Sequence, residues 1–440
     1  MGYSLETDTT TSPPRFAHVS KVGIIGAGVA GLQQAERLIE SGKEVTIFEK
    51  ASEVGGVWRE NYADFGLQVP RELYEFPAFP YPKDTHWDKF PKGPAVKEYI
   101  QSFARHFGID KQIRFRTAVL ALEQLSDSVE GLPTGECTRW SITHAPSGDA
   151  SKTTTEVFDF VIVATGMYGF PPNVPFVRGR EAFLGEVVHS FDFKDREQAR
   201  SKRVVVVGGG KSAVDCAVAS VNGGAKEVTL LFRQAHWPVP RYLINMIPFK
   251  YATYSRLGHA LLPTHYDVSA FVWWLHALFT PLKWLVWRLV ELLIQLQFRI
   301  PTEMVPTERI EIDVFSGGQI LTYEARDMIR SGKLLIRKGA IDHFTPEGVI
   351  LKTDDSTIGC DLVVYGTGFV KSYDVFHEAA RTKLALEKDG LCTLRPRCNV
   401  RDRRGSTYMW TYSLDPPLRS RANHRRSGLL SSTGQSVLAS

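Results

Sequence analysis

The sequence predicts an α/β fold of two doubly wound, Rossmann-like units, the second inserted into the first. Three observations carry this. A glycine-rich turn follows an apolar run twice, in Lys21-VGIIGAGVAGLQQA and in Arg203-VVVVGGGKSAVDCA. Each copy is followed far downstream by a second apolar run ending in Thr-Gly, Asp159-FVIVATG and Asp361-LVVYGTGF. Runs without polar alternation, such as 204–207, suit parallel strands covered on both faces. Strand, glycine turn, helix and a later parallel strand make one doubly wound unit, and two copies imply two such units.

The chain has 440 residues, enough for one to three domains. Residues 1–19 read as a disordered leader, polar and without the apolar core of a secretory signal. Residues 20–180 hold the first unit and residues 181–355 the second, with an aromatic-rich excursion over 240–300. Residues 356–390 are expected to return to the first unit through the second Thr-Gly strand. Residues 391–440 read as an irregular basic tail, rich in Arg, Ser and Pro and poor in periodic apolar pattern.

In the first turn, Gly26, Gly28 and Gly31 form G-x-G-x-x-G directly after a strand and before a helix. The first glycine permits the bend, the second lets a pyrophosphate approach the backbone, and the third lets the helix pack on the strand. The free N–H groups and the helix dipole then face the phosphates. Glu49 stands at the end of the next strand, where a carboxylate accepts from a ribose diol and repels a 2′-phosphate. The first site is therefore expected to take FAD or NAD rather than NADP. Gly56, Val57 and Trp58 follow in Glu53-VGGVWRE, a tight turn with a flat apolar surface that suits either packing or a cofactor contact.

In the second turn, Gly208, Gly209 and Gly210 open G-G-G-K-S-A, and Ala213 takes the place of the third glycine, as the fingerprint allows. Lys211 and Ser212 fall in the first helical turn, where a phosphate would lie. The next strand ends in Arg233, where the first unit has Glu49. A forked cation suits a 2′-phosphate, so this site is expected to prefer NADPH; a surface salt bridge is the plainer role for Arg233.

Composition narrows the function classes. The net charge of +5 is concentrated between Arg395 and Arg426, where nine arginines face only Asp402 and Asp415, so the body implies no nucleic-acid partner. The five cysteines include no CxxC pair, which argues against a disulfide scaffold, a metal site or a dithiol redox centre. The longest uncharged apolar run, 268–282, falls short of the roughly 20 residues that span a bilayer. A cytoplasmic protein, or one peripheral on the cytosolic face of a membrane, is expected.

Phe183-LGEVVHSFD-Phe193 matches FxGxxxHxxx(Y/F), with Phe183, Gly185, His189 and Phe193 at the fixed positions. It resembles the identifying sequence of flavin-containing monooxygenases; a Baeyer–Villiger monooxygenase usually has Trp where this chain has Phe193. With the two glycine turns, GGVW, Thr165-Gly166 and Thr367-Gly368, the resemblance extends over roughly 20–390, and it is nearest a plant-type subgroup. It implies FAD in the first unit, bordered by Thr165 and Gly166, and NADPH in the second, bordered by Thr367 and Gly368. It places Gln68 beside the flavin, where many members have Asn. It also implies that NADPH reduces FAD, that oxygen adds to give a C4a-hydroperoxyflavin, and that a nitrogen or sulfur nucleophile of a small molecule takes one oxygen atom of O2. No metal is implied, because the flavin carries the chemistry.

His189 reads either as a core histidine satisfied by a backbone carbonyl or as an acid–base group. The excursion, with Trp273, Trp274, Trp284 and Trp287 and a stripe of Leu285, Leu289, Leu292, Leu293 and Leu296, admits three readings. It packs on the second unit, it walls a tunnel for an apolar substrate, or it rests on a membrane through 268–297 with Lys283 and Arg288 as basic anchors. After Asp389-GLCTL the family's buried strand has no counterpart, and the end resembles a shifted frame or alternative exon, with a charged regulatory tail as the other reading. Competing functions are a Baeyer–Villiger-type oxygenase, an NADPH oxidase, and a truncated nucleotide-binding chain without turnover.

Overall fold

The computed structural model describes residues 19–82, 88–125, 139–166, 168, 171–248, 251, 255–262, 268–316, 319–370 and 373–383. The tail expected at 391–440 and the leader up to residue 18 lie outside them. Val19, assigned to that leader, is instead buried in the first core, and its carbonyl accepts from Lys43 Nζ at 2.6 Å.

Two parallel sheets form the frame. In the first, Lys21–Ile25 pairs with Glu44–Phe48 on one side and Phe160–Val163 on the other, and Ile113–Arg114 adds an edge. In the second, the order is Leu335–Lys338, Glu227–Phe232, Arg203–Val207, Leu362–Tyr365 and Glu186–His189, all parallel. Strands buried on both faces need cover on both, and each unit supplies it the same way. Helix Val29–Glu40 covers the first sheet with Leu32 and Ala35; the antiparallel sheet Thr117–Gln124, Trp140–Pro146 and Thr154–Phe158 covers its other face. That approach is close enough to require Gly23, where a Cβ would lie 2.6 Å from Ile142 Cδ1. In the second unit the cover is helix Lys211–Asn222 and the meander Ile341–Thr345, Gly348–Leu351 and Thr357–Gly359. Phe344, Val349 and Leu351 of that meander pack on Val205, Leu231 and Val363.

The internal repeat extends to how the strands start. Asp159 Oδ2 accepts from the backbone N–H of Ser20 and Lys21 at 2.9 and 2.8 Å. Asp361 Oδ2 accepts from the Arg203 N–H at 2.8 Å, and its Oδ1 pairs with the same residue's guanidinium at 2.7 Å. Hydrogen bonds to Arg203 lower the Asp361 carboxyl to about 2.

One boundary is corrected. The second Thr-Gly strand was expected to return residues 356–390 to the first unit. Leu362–Tyr365 instead inserts between Arg203–Val207 and Glu186–His189 of the second sheet. The reason is the repeat itself: each unit closes with its own later strand, as Phe160–Val163 closes the first. The return comes further on, where Leu122 N–H donates to Val375 O at 2.7 Å and Phe376 packs with Ile25, Phe48 and Leu122.

Two segments cross between the units, and they run side by side. Asn173 N–H donates to Gly368 O and Val370 N–H to Pro171 O, each at 2.9 Å. The Thr367 hydroxyl donates to Asn173 O. The second unit thus enters and leaves the first through one short antiparallel ladder.

Among its described residues the excursion forms a short hairpin, Tyr242–Leu243 with Ile247–Pro248, and three helices, Arg256–Leu261, Ala270–Leu278 and Thr280–Phe298. Trp287, Ile294 and Phe298 are buried in the second unit's core, so the excursion packs on that unit. The leucine stripe points the other way: Leu285, Leu289, Leu292 and Leu296 are half or more exposed, with Trp273, Trp274 and Trp284. The two expected basic anchors are engaged within the protein. Lys283 Nζ reaches His276 Nδ1 at 3.1 Å, and Arg288 pairs with Glu291 and Glu311 at 2.8 and 2.6 Å.

Candidate functional site

The first turn is shaped by close contacts that only glycine satisfies. Gly26 has φ +104°, and a Cβ there would lie 2.5 Å from Ala164 O. A Cβ on Gly31 would lie 2.0 Å from Gly26 O. Gly28 caps helix Val29–Glu40 without a side-chain hydrogen bond, which leaves its first N–H groups for a ligand. The Gly55–Gly56 turn closes against it, since a Cβ on Gly56 would stand 3.2 Å from Gly28 Cα. Trp58 follows, its indole N–H donated to the Tyr74 hydroxyl at 2.6 Å and its ring stacked at 5.9 Å on Phe65. Val57 beside it is exposed.

Glu49 is buried at the end of Glu44–Phe48. Its Oε2 accepts from the Ala27 N–H and its Oε1 from the Ala51 N–H, each at 2.8 Å. A carboxylate offers about four acceptor sites, so roughly two remain for a ribose diol. Thr165 and Gly166 stand exposed at the mouth of the turn, with Thr165 Cα 3.6 Å from the Cβ position of Gly26. Gln68 is exposed in the loop after buried Leu67, ahead of the short turn Arg71–Leu73.

The second turn repeats the first with one exchange. Gly208 has φ +145°, and a Cβ there would lie 2.3 Å from Gly366 O. Gly366 takes the place of Ala164, and Ala213 the place of Gly31. A Cβ on Gly366 would meet Ala213 Cβ at 2.6 Å. The pair Gly31–Ala164 has become Ala213–Gly366, so each crossing carries one methyl. Gly210 caps helix Lys211–Asn222 without a side-chain bond, and the space around its Cβ position is open.

Lys211 opens the helix after this turn. Its ammonium is held by Asp215, one turn along the helix, and Asp215 Oδ2 also accepts the Tyr62 hydroxyl at 3.0 Å. Beside Lys211, the donors of this turn are the backbone N–H groups and the half-buried Ser212. Arg233 is exposed just past Glu227–Phe232, the counterpart of Glu49. Among the described residues no carboxylate pairs with Arg233.

The segment Phe183–Phe193 is a joint. Phe183 is buried against Phe344, at 5.1 Å between rings, and a Cβ on Gly185 would lie 2.4 Å from Phe183 Cζ. Phe193 is fully buried, and its carbonyl accepts from the Ala63 N–H of the first unit at 2.7 Å. His189 closes the second sheet's edge. Its Nδ1 accepts from the Phe191 N–H at 3.2 Å, and its Nε2 stands 2.9 Å from Gly368 O. Burial pushes the imidazole below the usual histidine range, which favours the neutral ring with its proton on Nε2. Thr367 and Gly368 lie in the crossing ladder that His189 grips. The backbone-satisfied reading of His189 fits this geometry.

Two uncapped glycine turns with opposite side chains at their strand ends, joined by a buried FxGxxxH segment, define the arrangement. A family model described as flavin-binding monooxygenase-like matches residues 19–389. The chain belongs to that family. It is 30% identical over 385 residues to a probable flavin-containing monooxygenase of Arabidopsis thaliana, covering 80% of this chain and 70% of that protein. It is 32% identical over 212 residues to senecionine N-oxygenase of Tyria jacobaeae, covering 44% and 43%. The latter match thus spans less than half of that protein's length. In fold it is similar to an open crystal structure of cyclohexanone monooxygenase, with a TM-score of 0.58 at 18% identity over 80% of this chain and 73% of that one. The cofactors of the flavin-binding monooxygenases are FAD and NADPH, and both cradles fit them. Gly26, Gly28, Gly56 and Glu49 leave room, N–H donors and acceptor sites for a dinucleotide with a free ribose diol. Gly208 and Gly210 leave room and N–H donors, and the exposed Arg233 adds the guanidinium donor that a 2′-phosphate would need.

Sequence reasoning missed Tyr62, Asp215, Tyr74 and Gly366. Only Gly366 carried a signal, since an alanine at the third glycine position calls for a smaller residue on the facing strand end.

Proposed function

We propose that the chain is an NADPH- and FAD-dependent monooxygenase that transfers one oxygen atom of O2 to a nitrogen or sulfur nucleophile of a small molecule. The carrying observation is the charge reversal between the strand ends, Glu49 in one unit and Arg233 in the other. The N-oxygenase named among the relatives supports nitrogen as an acceptor. When bound, FAD would supply the oxygen chemistry and NADPH the hydride. The protein's part is positioning. The helix N-termini at Gly28 and Gly210 hold the two pyrophosphates, Glu49 fixes a ribose, and Arg233 selects the 2′-phosphate. The His189–Gly368 bond and the crossing ladder fix where one unit stands against the other. Gln68 is proposed as a flavin-side positioning residue.

The purified protein should show a flavin band that NADPH bleaches, and oxygen uptake that amines or thiols stimulate without matching hydrogen peroxide. Stoichiometric peroxide would indicate an oxidase, product from ketones a Baeyer–Villiger enzyme, and a flavin band that never bleaches an inactive chain. Arg233→Ala should raise the KM for NADPH by roughly tenfold or more, the scale of one charged hydrogen bond, and leave NADH nearly unchanged. Equal shifts for both would remove Arg233 from the 2′-phosphate.

We further propose that the exposed face of the excursion rests on a membrane surface. Trp273, Trp274, Phe271, Leu278 and Leu282 support it, being half or more exposed on adjoining helices. Among the described residues no helix is long and apolar enough to cross a membrane. The protein should float with lipid vesicles, and Trp273→Ser with Trp274→Ser should stay at the bottom of the gradient.

A further inference from the structure

We propose that His236, held by the buried carboxylate of Asp313, is a second ligand of the 2′-phosphate beside Arg233. This rests on reading the second turn as the NADPH site. His236 lies three residues past Arg233, in the loop that follows Glu227–Phe232. Its Cδ2 stands 3.5 Å from the Cβ position of Gly209, so the ring lies against the glycine turn itself. The loop after this strand and the middle of the turn are where an adenine ribose sits in a dinucleotide fold.

The ring is fixed from behind. Asp313 Oδ1 is 2.7 Å from His236 Nδ1, and Asp313 Oδ2 accepts the Trp237 N–H at 2.6 Å. Asp313 is 1% exposed, and a buried carboxylate needs such partners. Trp237 is buried, and its indole N–H donates to Glu308 O at 2.7 Å, which pins the loop. The support reaches the excursion: Glu291 of Thr280–Phe298 accepts the Ile310 N–H at 2.9 Å, at the start of the helix Ile310–Ser316 that carries Asp313. Arg233 lies on the same loop, Lys211, paired with Asp215, opens the helix after the turn, and Glu308, Arg309 and Glu311 flank the start of the helix that carries Asp313.

With Nδ1–H donated to Asp313, Nε2 is the nitrogen left for a ligand. In the neutral ring that atom only accepts, and only the imidazolium donates from it. A phosphate oxygen accepts. The contact therefore needs the charged ring, and recognition of the 2′-phosphate gains a dependence on pH that Arg233 alone cannot give.

The test is calorimetric binding of 2′,5′-ADP and of 5′-AMP to the purified holoprotein from about pH 5 to 8. The free phosphate has its own ionisation near pH ~6, so variants carry the comparison. The wild type should prefer 2′,5′-ADP and lose part of that preference as pH rises. His236→Gln should weaken 2′,5′-ADP by about tenfold at the acid end, leave 5′-AMP unchanged and flatten the part of the profile that the phosphate does not explain. His236→Arg should restore affinity with the same flat profile, which a misfolded loop would not. A His236→Gln protein that binds 2′,5′-ADP like the wild type, or loses both ligands equally, overturns the proposal. Equal binding of the two probes by the wild type sinks the NADPH reading, and this inference with it.

Discussion

A methyl group at the crossing of strand end and helix decides how near each glycine turn the two can come. In the first unit it belongs to Ala164, in the second to Ala213, and the partner position is glycine in both. Gly366→Ala would place two methyls 2.6 Å apart. Overpacking of this kind costs about 1–3 kcal/mol, and because the same crossing shapes the phosphate turn, NADP binding should weaken as well. Gly366→Ala with Ala213→Gly recreates the first unit's arrangement and should recover most of both losses. A double-mutant cycle with no coupling between them would refute the exchange.

His189 makes a pH prediction at the same scale. Burial holds its folded value below the ordinary one of ~6.5, so under that pH the unfolded chain binds a proton that the folded chain refuses. Its contribution is complete above ~6.5 and is lost as pH falls toward the lowered folded value. The wild type's melting temperature should drop between about pH 7 and 5 more steeply than that of His189→Gln. Parallel slopes would mean that His189 titrates alike in both states. Glu49 and Arg233 were legible in the sequence because the repeat supplies each with a counterpart to compare. His236 and Asp313 were not, because 77 residues separate them and only the folded loop brings them together.

Among the elements, Thr280–Phe298 shows why periodicity alone does not choose a face. The leucines and Trp287 all fall in one apolar pattern, and the core takes Trp287, Ile294 and Phe298. A helix rich in apolar residues all round gives two candidate stripes, and which one is buried depends on the shape of the surface it meets. Arg288 lies near the inner side because Glu291 and Glu311 pair with it. Ile294→Ala should cost about 2–5 kcal/mol of stability by opening a cavity, whereas Leu285→Ser should change it by less than about 0.5 kcal/mol. Denaturant midpoints check both, and a large loss in Leu285→Ser would place that face in the core. The glycine turns were legible in full, since their spacing is dictated by backbone contacts inside a single turn.

On the scale of the molecule, the two-unit architecture followed from the repeat, and the strand Leu362–Tyr365 was misassigned by counting repeats without pairing them. Pairing is not encoded locally: that strand's neighbours are about 160 and 175 residues upstream, and nothing within it names them. What joins the units is correspondingly short. Beside the ladder, the described contacts include His189 to Gly368, Phe193 to Ala63, Tyr62 to Asp215, the ion pairs of Lys194 with Glu60 and Arg196 with Asp64, and the cations Lys89 and Arg241 over Tyr242 and Phe90.

The ladder between Asn173 and Gly368 has a consequence for how such a chain can be cut and rejoined. An insert whose two ends lie one hydrogen bond apart can be removed or moved as a cassette, because the parent needs no new span to close the gap. Residues 174–367, expressed alone, should fold cooperatively and retain 2′,5′-ADP in calorimetry. The remainder, closed by a few glycines between 173 and 368, should keep its flavin, with absorbance as the readout. An insoluble cassette would show that the contacts across the joint are part of its fold rather than fastenings added to it. The same proximity makes this the place where a second nucleotide unit can enter a flavin-binding one by a single recombination, leaving both cores intact.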